Sequence, residues 1–174
     1  WPETIGGDGG IVNVDDSVAG TSIRFNCSQN WGGFNRRTIA GGTLTDTSNL
    51  QLKVGAQTLA QYDNTIQFYG PYEINKVTPA RMAFGTNRVY ESSDRGDTLT
   101  DLSGDTGNEV TSIAYGGSTG GVPNAEVLYA CSGNSIRLRT TAGGAFSVLS
   151  TYAGGVIRDI AIDPNDYNTA IVAD

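Results

Sequence analysis

Val89-Tyr90-Glu91-Ser92-Ser93-Asp94-Arg95-Gly96-Asp97-Thr98-Leu99 is the stretch on which the reading of this 174-residue chain turns. Four residues of strand character lead into a polar turn, a glycine sits inside that turn, and an apolar residue opens the next strand. Two further segments align with it without gaps: Phe34-Asn35-Arg36-Arg37-Thr38-Ile39-Ala40-Gly41-Gly42-Thr43-Leu44 and Ile136-Arg137-Leu138-Arg139-Thr140-Thr141-Ala142-Gly143-Gly144-Ala145-Phe146. Gly41, Gly96 and Gly143 hold the same place in each. Glycine suits such a turn because it adopts positive φ without a steric penalty.

The fixed glycines are spaced 55 and 47 residues apart, near the length of one four-stranded propeller blade. A strand pair precedes each copy: Ile11–Asp15 with Thr21–Asn26, Tyr72–Asn75 with Arg81–Gly85, and Val110–Tyr115 with Val127–Cys131. A fourth pair, Arg158–Asp163 with Thr169–Asp174, has no third strand after it. The expectation is an all-β fold: one β-propeller segment, residues 1–174, of about three and a half antiparallel blades. The blades run about 5–63, 64–105 and 106–152, with a partial blade over 153–174. Third strands fall near 34–39, 87–92 and 135–140, and a long loop over Gly42 to Leu50 separates the third and fourth strands of the first blade. Inner and second strands are apolar enough to be buried on both faces. Strand should exceed about 35% and helix stay below about 8%, against globular averages of roughly a third helix.

Composition narrows function by exclusion. With 11 Lys+Arg against 18 Asp+Glu the net charge is −7, which disfavours a phosphate backbone as partner. Lys53 and Lys76 are the only lysines, so no polybasic membrane patch exists, and no apolar run approaches the roughly 20 residues that span a bilayer. There are no histidines, which removes the commonest general base and zinc ligand. Cys27 and Cys131 fall on second strands of non-adjacent blades and are expected buried and unbonded. A start at Trp1 without Met, and an end at Ile171-Val172-Ala173-Asp174 inside a strand, are what a processed chain or a fragment would show. The acidic, lysine-poor, Thr/Asn/Gly-rich composition points to an extracellular or cell-surface setting.

Ser92-Ser93-Asp94-Arg95-Gly96-Asp97-Thr98-Leu99 resembles the Asp-box, or bacterial neuraminidase repeat, of the form Ser/Thr-x-Asp-x-Gly-x-Thr-aromatic. Leu99 departs from the aromatic, and the other two copies keep only the glycine and the apolar position. Over nearly its whole length the chain resembles the propellers of sialidases, sortilin-type receptors, xyloglucan-cleaving glucanases, photosystem II assembly factors and large bacterial surface proteins. That superfamily holds enzymes, receptors and scaffolds, so the resemblance implies fold more than function. It also implies that Ser92, Asp94, Gly96 and Thr98 are a structural device in which side chains bond turn backbone.

Gly6-Gly7-Asp8-Gly9-Gly10 is the sharpest local feature. Asp8 has two readings: a turn residue capping its own backbone, or an acid/base carboxylate at the propeller mouth, as in the glucan-cleaving relatives. Inverting hydrolysis needs a second carboxylate about 6.5–9.5 Å away, and no second copy of the loop supplies one. Asp15-Asp16, Asp105, Asp163 and Asp166 fit no calcium loop and read as turn residues. Arg36, Arg37, Arg137 and Arg139 lie on third strands, away from an axial arginine cluster of the sialidase kind. Trp1, Trp31, Tyr69 and Tyr72 are candidates for stacking on sugars, or for packing between blades. No cofactor or metal is called for. The expected role is a binding or structural-assembly module, with other protein chains, remaining propeller blades or carbohydrate as partners. A glycoside hydrolase fragment using Asp8 and a self-assembling subunit are the alternatives.

Overall fold

The computed structural model describes residues 6–174, so Trp1 lies outside the described residues. Strand accounts for 51% and helix for 4%, in line with the glycine- and Thr-rich sequence. β1 (Gly9–Asp15), β2 (Thr21–Ser28), β3 (Asn35–Ala40) and β4 (Thr43–Asn49) form a first antiparallel sheet in that order. A small hairpin, β5 (Lys53–Val54) and β6 (Gln57–Thr58), and one helical turn, α1 (Leu59–Tyr62), fill the connection to the next. The second sheet holds β7 (Tyr72–Ile74), β8 (Met82–Gly85), β9 (Val89–Ser92) and β10 (Thr100–Asp101). The third holds β11 (Val110–Thr119), β12 (Val122–Ser132), β13 (Ser135–Arg139) and β14 (Ser147–Val148). A final hairpin, β15 (Asp159–Asp163) and β16 (Asp166–Ala173), touches the third sheet's ladder through the single pair Thr119–Asp166. All ladders are antiparallel; an isolated bridge between Val54 and Leu99 is parallel.

Two expectations are corrected. Residues Gly42 to Leu50 are not a long loop: the positive φ of Gly41 (56°) and Gly42 (80°) turns the chain tightly, and Thr43–Asn49 returns as β4 with Ala40 opposite Thr43. The irregular connection lies after it, in the hairpin and α1. Nor is β1 buried on both faces. Val12 is 65% and Val14 50% exposed, because among the described residues no sheet lies against that side.

The core is built between neighbouring sheets. Phe25 and Phe34 of the first sheet meet Tyr72, Phe84 and Tyr90 of the second. Ala83 and Val89 of the second meet Ile113, Tyr115 and Leu128 of the third. Val127, Tyr129 and Cys131 of the third meet Ile157, Ile160 and Ile162 at the final hairpin. Cys27 and Cys131 are buried, free thiols on β2 and β12. Burial pushes them up to about 11 and about 12, respectively.

The turn that opened the sequence analysis closes on itself. Asp94 accepts from the Thr98 hydroxyl (2.6 Å), the Thr98 backbone N–H (2.9 Å) and the Ser92 hydroxyl (2.8 Å), and the Gly96 N–H donates to Ser92 Oγ (2.9 Å). Burial raises the Asp94 carboxyl, but the bonds from Thr98 and Ser92 outweigh it and hold the group below its usual range. Leu99, 4% exposed, anchors the turn in the first core.

Candidate functional site

Antiparallel strands alternate direction, so their connections alternate between two ends of the molecule. One end gathers the segments that lead into β1, β7, β11 and β15 together with the turns β2–β3, β8–β9 and β12–β13. Hydrogen bonds knit these loops within and across sheets. Gln29 N–H donates to the Asp8 carbonyl (3.0 Å), Asn30 N–H to Phe68 (2.9 Å) and Ile157 N–H to Gly133 (2.8 Å).

Asp63 is the hub of this end. Its buried carboxylate accepts from the Thr65 N–H (2.8 Å) and from the hydroxyls of Thr65 (2.7 Å), Thr86 (2.5 Å) and Tyr90 (2.7 Å). Burial pushes this carboxyl up, and the four donors more than offset it, leaving it below the usual carboxylate range. Asn87 N–H in turn donates to Thr65 Oγ1 (3.1 Å). The hub therefore fixes Asn64 and Asn87 beside each other.

Those two asparagines line a groove of about 670 Å³, with Asn108, Glu109, Thr111 and Arg158 among the residues of its other walls. Amide, hydroxyl, carboxylate and guanidinium groups thus face one space, able to donate and accept hydrogen bonds in several directions. On the segment that leads from Asp63 into β7, Phe68 (49% exposed) and Tyr69 (59% exposed) stand edge to face, centroids 4.8 Å apart.

The residues singled out in the sequence fare differently. Asp8 is exposed in the turn before β1, its N–H held by Gln29 Oε1 (2.9 Å). Trp31 and Tyr72 are not open platforms. Trp31 is 6% exposed, with its indole N–H donated to the Gly70 carbonyl (3.0 Å). Tyr72 is fully buried, with its hydroxyl donated to the carbonyls of Ile11 (2.7 Å) and Phe25 (3.2 Å). Each satisfies its one polar group on backbone and gives its ring to the core, which leaves Tyr69 as the accessible aromatic among the described members of the set. The arginines are paired apart: Arg36 with Asp97 (3.0 Å), Arg139 with Glu91 (2.6 Å).

Two groups of acids were not singled out. Glu91 sits between the second and third sheets and takes bonds from Arg139, Arg81 (2.7 Å) and the Tyr115 hydroxyl, while Arg81 also reaches Glu126 (2.5 Å). Burial raises Glu91, and those three donors carry it down to about 2. At neutral pH it is an anion and no proton donor. Glu73, on β7, is its opposite: burial, opposed by Lys76 and helped by Asp159, raises it to about 7. Asp159, at the start of β15, accepts from Ser112 Oγ of β11 (2.6 Å). Glu91 could have been suspected from its place in the middle of an apolar third strand; nothing in the sequence near Glu73 marks it. Among the described residues no group of three or more His, Cys, Asp or Glu side chains is placed to hold a metal, and no helix is long and apolar enough to cross a membrane.

No protein-family model matches the chain, and no curated protein matches it. Among solved structures it is similar to the crystal structure of an ancestral GH74 enzyme, with a TM-score of 0.61 and 12% identity over 96% of this chain. The match spans 22% of the length of that enzyme. A likeness at this identity shows the fold, a propeller-type arrangement of antiparallel sheets.

Proposed function

We propose that the sheets are successive blades of a propeller module, that the turn at Ser92–Leu99 is an Asp-box, and that the module binds carbohydrate at the end carrying the groove. The observation that carries the reading is that groove: Asn64, Asn87 and Asn108 beside Glu109 and Arg158, a set suited to the alternating donors and acceptors of sugar hydroxyls. Phe68 and Tyr69 offer an apolar face on a neighbouring segment. The lysine-poor, acidic composition supports an extracellular or cell-surface setting. Titration calorimetry with soluble β-glucan oligosaccharides tests it. Binding should weaken at least about tenfold in Asn87→Ala and Asn108→Ala, each removing bonds worth roughly 1 kcal/mol or more. Unaltered binding in both variants, or no binding to any glucan, would sink the reading.

A second reading, a glycoside hydrolase fragment, draws on the likeness to the GH74 enzyme and on Glu73, whose carboxyl burial raises to about 7, with Asp159 adding to the rise. Such a group suits general acid work; Asp8, an exposed turn residue, does not share that environment. Release of reducing ends from the same glucans, lost in Glu73→Gln and kept in Asp8→Asn, separates hydrolysis from binding alone.

A further inference from the structure

At the end opposite the groove, turns from three neighbouring units converge: the β7–β8 connection, the β11–β12 turn and the β15–β16 turn. Two glycines of β11 allow the approach. A Cβ on Gly116, whose φ is 76°, would stand 2.6 Å from Asn75 Oδ1 and 2.8 Å from the Lys76 nitrogen, and one on Gly117 would stand 2.8 Å from Tyr167 Cβ. With backbone alone at both positions, the β7–β8 connection and the last hairpin each come into contact with β11. Hydrogen bonds lock the arrangement. The Lys76 N–H donates to the Tyr115 carbonyl (3.0 Å), the buried Asn75 amide to the Ala125 carbonyl (2.7 Å) and the Ser118 hydroxyl to the Pro164 carbonyl (2.6 Å).

The three turns leave a pocket of about 460 Å³ between them, a size that suits a small molecule. All of its lining residues fall between Lys76 and Pro164, so its walls belong to the middle two sheets' connections and to the closed turn of the last hairpin. Val77, Pro123, Ile162 and Pro164 make the walls largely apolar, and Lys76 and Asp163 bring the charges. The two charges are not equivalent. Asp163 Oδ1 accepts from the Asn165 N–H inside its own turn (2.7 Å). Lys76 is exposed, and among the described residues its ammonium takes part in no ion pair. Its charge acts on Glu73 without a bond between them.

We infer that this pocket binds a small carboxylate with an apolar body, the body lying between Val77, Pro123, Ile162 and Pro164 and the carboxylate on Lys76. The walls are tied before any ligand arrives, so the apolar body loses its contact with water at little cost in ordering. A lysine ammonium on a flexible stem reaches a carboxylate at the rim while both stay partly hydrated. Charge selects the head group. A cationic head would share Asp163 with the Asn165 N–H, whereas an anionic head on Lys76 displaces no bond. The pocket and the groove have no lining residue in common, so this binding stands independently of carbohydrate.

Titration calorimetry on the 174-residue chain with octanoate, octylammonium and octanol tests it, since the three probes share a chain and differ in the head. Octanoate should bind saturably with one equivalent, about tenfold or more tighter than octylammonium, the margin that a charge-assisted bond supplies. Lys76→Glu should invert that order, and Lys76→Gln should bring octanoate down to the level of octanol. Val77→Asp should weaken octanoate and octanol together, which places the apolar body. Lys76 uses its backbone N–H and not its side chain to hold the fold, so the circular dichroism spectrum and melt of both Lys76 variants should match the wild type. No saturable octanoate binding, octylammonium held as tightly as octanoate, or an order that survives Lys76→Glu would each overturn the inference. If Lys76→Glu does not fold, Lys76→Gln decides by the same comparison of octanoate with octanol.

Discussion

Arg139 Nη2 lies 2.6 Å from Glu91 Oε1, a bond that joins the third strand of one sheet to the third strand of the next. Arg139 is 6% exposed and Glu91 18% at the side chain, and Arg81 grips the same oxygen from the other side. Removing the acid leaves two arginines crowded without it. Glu91→Ala should therefore cost about 3–5 kcal/mol, the scale for breaking a buried pair from one side. A urea denaturation midpoint unchanged from wild type would refute this account.

Glu73 and Glu91 give stability two limbs, one running from mildly acid pH up to neutral and one in strong acid. The ordinary carboxyl value is 4.5; folding raises Glu73 to about 7 and lowers Glu91 to about 2. Between 4.5 and 7 the folded chain holds a Glu73 proton that the unfolded chain has released, so stability falls as pH rises through that window. Between 4.5 and 2 the unfolded chain takes up a Glu91 proton that the folded chain refuses, so stability falls as pH drops. Glu73→Gln should remove the upper limb and stabilise the protein at pH 8 by about 1 kcal/mol, discounted for the solvent that still reaches the group. Thermal melts from pH 3 to 8 check both limbs.

Asp94→Ala removes the acceptor of three bonds in the Ser92–Thr98 turn and leaves the Thr98 N–H without its partner. A loss of about 1–3 kcal/mol is expected, along with faster proteolysis between Ser93 and Leu99. Thr98→Val, which keeps the backbone bond, should lose less.

The two thiols should be silent in the native state. Cys27 is 3% and Cys131 0% exposed, and burial keeps both protonated well above pH 8. Ellman's reagent should find no thiol in buffer and both in guanidinium chloride; rapid native reaction of either would contradict the placement of its strand.

The repeat of turn glycines was legible because it reflects backbone geometry: Gly41, Gly96 and Gly143 all take positive φ, and only glycine does so freely. Third strands at Asn35–Ala40, Val89–Ser92 and Ser135–Arg139 followed from it. The β4 strand, Thr-Leu-Thr-Asp-Thr-Ser-Asn, escaped notice because an outer edge strand needs no apolar alternation. The sites were less legible. Trp31 and Tyr72 look in sequence like any aromatic near a glycine loop, and only packing decides whether a ring faces solvent. Asn64, Asn87 and Asn108 come from three loops, so nothing local marks them as partners. The value of about 7 for Glu73 comes first from burial between sheets, with Asp159, 86 residues away, adding to it.

The carboxylate of Asp63 has consequences for any occupant of the neighbouring groove. Its hydrogen-bond donors are Thr65, Thr86 and Tyr90, all neutral, so these bonds come from fixed dipoles. The segments bearing Asn64 and Asn87 are thereby frozen before any ligand arrives. A ligand meeting segments whose backbone is already tied has little loop ordering to offset. The entropy of binding should then change mainly with the ligand's own flexibility, and Asp63→Asn, by loosening the walls, should make it less favourable without touching a single group that contacts the ligand.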